Sequence, residues 1–190
     1  MTISLEKGGR VNLTKEAPGL QKMQIGLGWD VRVTDGTDFD LDASLFMLNA
    51  DGKASSDKSF IFYNNKKSQC GSIEHLGDNL TGEGEGDDEA ININLETIPA
   101  EIVKLVIVVS IHEADARKQN FGQIENAFIR ILNASSNEEV VRYDLTEDYS
   151  TETSLIFAEV YNKDGEWRFA AKGEGFKGGL PKILETFGLG

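Results

Sequence analysis

Residues 38–42 read D-F-D-L-D. In an extended chain, residues two apart share a face, so Asp38, Asp40 and Asp42 line one side while Phe39 and Leu41 line the other. The two apolar residues can anchor in a core and hold three carboxylates a few ångströms apart. Like charges at about 4 Å repel by roughly 1 kcal/mol in water and several times that near a protein surface. A hard cation turns that penalty into binding energy. A charged, edge-protecting strand face is the alternative reading of the same pattern. Asp30 lies just upstream, and a second acidic stretch, G-D-N-L-T-G-E-G-E-G-D-D-E, occupies 77–89.

The second stretch supplies Asp78, Asn79 and Thr81 as oxygen donors, followed by carboxylates alternating with Gly82, Gly84 and Gly86. Those glycines let the backbone turn tightly and bring its carbonyls toward an ion. An all-oxygen set of carboxylate, amide, hydroxyl and carbonyl suits calcium, which takes six to eight such ligands. Soft ligands for zinc or copper are missing from it. Neither stretch fits an EF-hand. Counted from Asp38, the obligatory glycine and glutamate positions hold Ala43 and Asn49; counted from Asp78, positions 3, 5 and 6 hold Leu80, Gly82 and Glu83. A cation site must therefore be assembled from separate loops, or the second stretch is simply a solvated acidic loop.

Other chemistries find less support. There is no P-loop, and a G-x-G-x-x-G at Gly173, Gly175 and Gly178 has too little chain after it for a βαβ unit. It reads better as a glycine-rich turn into a terminal helix. His112-Glu113 opens a zinc-protease motif, but Ala116 stands where its second histidine belongs. Ser68, Cys70, Ser72 and His75 cluster without a nucleophile signature around them. A hydrolase using the acidic cluster and a metal-activated water is the rival functional class, yet no open coordination position or general base is displayed.

The elements that must position these residues are mostly strands. Short runs at Met23 to Leu27, Asp42 to Leu48, Phe60 to Tyr63 and Ile91 to Leu95 precede a continuous β-branched run, Lys104 to Ile111, of the kind buried on both faces. Ala127 to Leu132, Val140 to Leu145, Leu155 to Tyr161 and Trp167 to Lys172 follow. Turn residues at 49–52, 134–137 and 163–166 join neighbouring runs as hairpins. The pattern predicts an antiparallel β-sandwich with short helices at Ala114–Gln119 and at the C-terminal Leu180–Phe187.

Composition bounds the function. The chain has 190 residues, enough for one sizeable domain, and a formal charge of -13. The windows 30–42 and 77–89 carry -4 and -6 of it. So acidic a chain is a poor direct partner for nucleic acid or anionic membranes and leaves cations and basic proteins. The lone Cys70 suits a reducing compartment, the N-terminus shows no apolar signal core, and the longest apolar run, Leu105 to Val109, is far too short to span a bilayer. A cytoplasmic protein is expected.

Taken in order, L-E-K-G-G, G-L-G-W-D at 26–30, D-F-D-L-D-A-S at 38–44, F-I-F-Y-N-N at 60–65, the 77–89 motif, A-R-K-Q-N-F-G at 116–122 and R-Y-D-L-T-E-D at 142–148 resemble the TerD/TerE family of bacterial tellurite-resistance and stress-response proteins over nearly the whole chain. The resemblance implies one TerD-like calcium-binding domain over 1–190, two calcium ions held through the acidic loops, and no enzymatic activity. By motif, the ligand candidates are Asp30, Asp38, Asp40, Asp42, Asp78, Asn79, Thr81, Glu83, Asp87, Asp88 and Glu89. It further implies assembly with other proteins of the same resistance system, with any inner-membrane attachment made through a membrane partner.

Overall fold

In a computed structural model, which describes residues 1–31, 39–77, 86–147 and 149–190, the chain forms two facing sheets. The strands are β1 (Ile3–Leu5), β2 (Arg10–Asn12), β3 (Lys22–Val31), β4 (Leu41–Leu48), β5 (Phe60–Ile61) and β6 (Ile73–His75), then β7 (Glu89–Asn94), β8 (Lys104–Ile111), β9 (Ile124–Asn133), β10 (Glu139–Asp144), β11 (Ser154–Lys163) and β12 (Glu166–Phe176). Among the described residues, one sheet runs β1-β10-β9-β3-β7-β6 and the other β2-β12-β11-β8-β4-β5. Three short α-helices, α1 (Leu13–Glu16), α2 (Ala114–Arg117) and α3 (Gly179–Thr186), and three single 3-10 turns complete the described fold.

Alternation explains the core. On β3, Met23, Ile25, Leu27 and Trp29 point inward, while Gln24, Gly26, Gly28 and Asp30 face out. β8 is apolar from Leu105 to Val109 because both its faces are covered there. Leu105, Ile107, Val109 and Ile111 enter the core between the sheets, whereas Val106 and Val108 lie beneath α3. There α3 presses Ile183 and Phe187 onto Phe46, Phe60 and Ile156, with the Phe46 and Phe60 rings stacked at 4.5 Å. The Lys163–Glu166 turn between β11 and β12 needs left-handed backbone at two consecutive residues, which Asp164 (φ 57°) and Gly165 (φ 80°) supply.

The antiparallel sandwich expected from the sequence is present, with differences that have physical causes. The segment expected as Phe60 to Tyr63 is a two-residue strand, because Phe62 turns back to bridge Asn65. β1, β2 and β6 are three residues each and α1 is four, too short to show a period. β1 pairs parallel with β10, the exception to antiparallel pairing among the described residues. The glycines of the G-x-G-x-x-G pattern are absorbed by β12 and the turn into α3. Gly173 leaves room for the hydroxyl ends of Tyr143 and Tyr149, and Gly175 for Glu152, rather than for a pyrophosphate.

Candidate cation site

The alternation predicted for D-F-D-L-D holds where it is described. Phe39 and Leu41 are buried, and Asp40 and Asp42 lie half-buried on the opposite side. The Asp40 carbonyl accepts the His112 N–H at 2.8 Å, extending the β4–β8 ladder past its end. The His112 ring follows, its Nδ1 3.7 Å from Asp42 Oδ2.

Residues 86–89 of the second stretch lie across the outer side of β3. The Asp88 N–H donates to the Leu27 carbonyl at 2.7 Å, and Asp88 Oδ2 accepts the Trp29 N–H at 2.8 Å. Gly26 is required there because a Cβ would strike the Asp87 carboxylate, and Gly28 because a Cβ would strike the Phe128 ring and the Gly86 carbonyl. Arg130 on β9 fixes Asp87 by donating from Nε at 2.8 Å and reaches Glu139 with its other arm. Asp30 follows on β3, exposed, and accepts from Asn126 Nδ2 at 2.7 Å.

The two stretches are joined by one buried clasp. Ala43 sits where, among the described residues, β4 has no neighbouring strand on its β5 side, so its N–H and C=O need partners. Glu89 Oε2 accepts the Ala43 N–H at 2.7 Å, and His75 Nε2 lies 3.0 Å from the Ala43 carbonyl and 3.4 Å from Glu89 Oε2. The Gly77 N–H donates to His75 Nδ1, which leaves the ring proton on Nε2 to donate to Ala43. Glu89 and His75 belong to one sheet and Ala43 to the other, so the clasp fixes the sheets to each other at the acidic end.

Electrostatically this end is under strain. Partial burial pushes the Asp88 carboxyl above its ordinary value, with the Trp29 N–H bond opposing and the charges of Asp30 and Asp87 adding to the rise. Of the eleven residues expected to bind metal, Asp30, Asp87 and Asp88 come together on the β3 side, and Glu89 ties them to the chain carrying Asp40 and Asp42. Asp38, Asp78, Asn79, Thr81 and Glu83 lie outside the described residues. Among the described residues, no group of three or more histidine, cysteine or acidic side chains is arranged to hold a metal ion. The donors that are described are oxygen throughout, and the crowding of carboxylates there fits a hard cation.

The sequence does not mark Arg130, groups His75 only with Ser68, Cys70 and Ser72, and shows Gly26 and Gly28 only within G-L-G-W-D. The G-L-G-W-D spacing, two glycines on the outward positions of an otherwise apolar-inward strand, was the signal that something must lie against that face. Cys70, grouped with His75 by sequence, has Ser68 and Ser72 as its side-chain partners. Burial pushes its thiol up, but hydrogen bonds from Ser68 and Ser72 outweigh that and hold it below the ordinary thiol value.

The structure therefore defines a two-sheet β-sandwich with a carboxylate-rich end clasped between its sheets. The profile of the TerD domain family matches residues 1–187, and the chain belongs to this family. It is 53% identical to the tellurium resistance protein TerD of Serratia marcescens, covering all of this chain and 98% of the relative. It is 55% identical to general stress protein 16U of Bacillus subtilis, again over all of this chain and 98% of the relative. A crystal structure of a homologue of telluride resistance protein (TerD) from Streptomyces coelicolor A3(2) superposes with a TM-score of 0.66 at 22% identity, covering 87% of this chain and 95% of that one, and shares the fold. Among the described residues, no helix is long and apolar enough to cross a membrane.

Proposed function

We propose that this protein is a calcium-binding module of a tellurite-resistance and general stress-response system, in which the metal orders an interaction surface at the acidic end. The observation that carries this reading is Asp88. Its carboxylate is fixed by the Trp29 N–H among charges that disfavour its ionisation, so a bound cation relieves a cost already built into the fold. Among the described residues Asp30, Asp40, Asp42 and Asp88 are the proposed ligands, with Asp38, Asp78, Asn79, Thr81 and Glu83 completing the proposed set for two ions. Asp87 and Glu89 contribute by holding the loop, through Arg130 and Ala43. Calcium supplies charge neutralisation there, and no turnover is required of it.

The name of the Serratia relative speaks of tellurium and that of the Bacillus relative of general stress. Tellurite is an anion that the carboxylates of this end repel, so the resistance role proposed here is indirect. It is exercised in the cytoplasm, through other proteins of the same system and a membrane partner. Binding to the native state alone adds about 2.7 kcal/mol of stability at a hundredfold excess of ligand over Kd. Isothermal titration with calcium, combined with amide chemical shifts, checks the reading: heat release and shifts in residues 30–42 and 77–89 are expected. An absence of both overturns it. Calcium-dependent turnover of phosphoesters would replace it with a hydrolase.

A further inference from the structure

On the outer face of the sheet that carries α3, the apolar patch under that helix gives way to polar residues in the same registers. Asp42, Ser110 and Ser154 stand in one cross-strand row, and Ser44 lies opposite Val108 in the next. A cleft of about 440 Å³ opens above Asp42, Ser44 and Ser110, between the chain at His112–Ala116 and the start of α3. That volume is in the range of small-molecule sites.

The floor of the cleft holds an unmet demand. Ser44 is 1% exposed, lines the cleft, and its Oγ has no hydrogen-bond partner. Buried hydroxyls are ordinarily satisfied. The two long walls have opposite polarity. One is the N-terminus of α3, where Gly178 provides no side-chain cap and no acidic residue stands in the first turn. An uncapped helix start offers free N–H groups, here those of Gly179 and Leu180 since Pro181 has none, and about half a positive charge. The facing wall carries Glu113 and Asp115, with Asp42 at its foot, and among the described residues no lysine or arginine lines the cleft. Tyr63, Phe62 and Leu180 provide an apolar flank.

We propose that this cleft binds a small zwitterion, an α-amino acid with an apolar side chain. Its carboxylate would meet the α3 N–H groups, its ammonium the Asp42 and Asp115 wall, and its side chain Tyr63 and Leu180, with Ser44 Oγ donating to the carboxylate. The cleft shares Asp42 with the proposed cation site, so the test is run both with and without calcium.

Titration of the isotope-labelled protein with L-phenylalanine, run with calcium and again with chelator, tests the assignment whether or not calcium binds. Saturable shifts at Ser44, Ser110, His112 and Gly178–Leu180 are expected below about 10 mM. Phenethylamine and 3-phenylpropionate, each lacking one charge, should bind at least tenfold more weakly. The exposed substitution Asp115→Asn should cost several-fold in affinity without affecting folding, and Ser44→Ala should weaken binding as well. No saturable shifts in either condition, or equal binding of the singly charged analogues, overturns the proposal.

Discussion

Asp88 and Glu89 are neighbours in sequence with opposite tasks, and substitution separates them. The folded-state value of Asp88 is raised, so the folded protein holds a proton there to higher pH than the unfolded chain does. Its contribution to calcium-free stability is therefore present at acid pH and lost as pH rises through the raised value. Asp88→Asn keeps an oxygen for the Trp29 N–H and removes the charge. Thermal denaturation in chelator should show a variant at least as stable as the parent at pH 7, with a flatter pH dependence, and calorimetry should show weaker calcium binding. Glu89 is buried and accepts the Ala43 N–H. Glu89→Ala leaves that donor unsatisfied and should cost about 1–3 kcal/mol in urea denaturation even with no calcium present. Glu89→Gln, which retains an acceptor, should recover much of the loss.

At the scale of elements, legibility followed length and periodicity. β8 was read to the residue, and β3, β4 and β7 were recognised in their central parts, because each alternates or runs apolar for five residues or more. β1, β2 and β6 could not be read that way. They are held by register with distant partners, such as Ile73 opposite Ile93, rather than by any pattern of their own. The acidic residues were legible as a group, since charge is visible in a sequence. The clasp was not, because Ala43 is featureless until its missing neighbour strand is known. α3 was found from its turn signals, and its role follows from what it covers. Ile183 is fully buried against Phe46, Val108 and Phe187. Ile183→Ala should cost about 2–4 kcal/mol in denaturant unfolding and loosen the Phe187 contact.

For the whole molecule, a formal charge of -13 with most of its excess in two short stretches of the sequence makes ionic conditions part of the structure. In chelator, raising sodium chloride toward 0.15 M shortens the screening length to about 8 Å and should raise the melting temperature measured by scanning calorimetry. Calcium should raise it further at concentrations too low to screen anything. The lateral edges have a different consequence, one of time. β1 closes the edge of one sheet and β2 the edge of the other, so a single stretch of ten residues seals both. Ile3 precedes its partner Val141 by 138 positions, and Asn12 precedes Arg168 by 156. During synthesis these residues emerge early and wait, with no partner yet made, while the strands between them are translated. Both edges can be sealed only after β12 has left the ribosome, and until β1 and β2 dock, β10 and then β12 present bare edges to whatever chain is nearby.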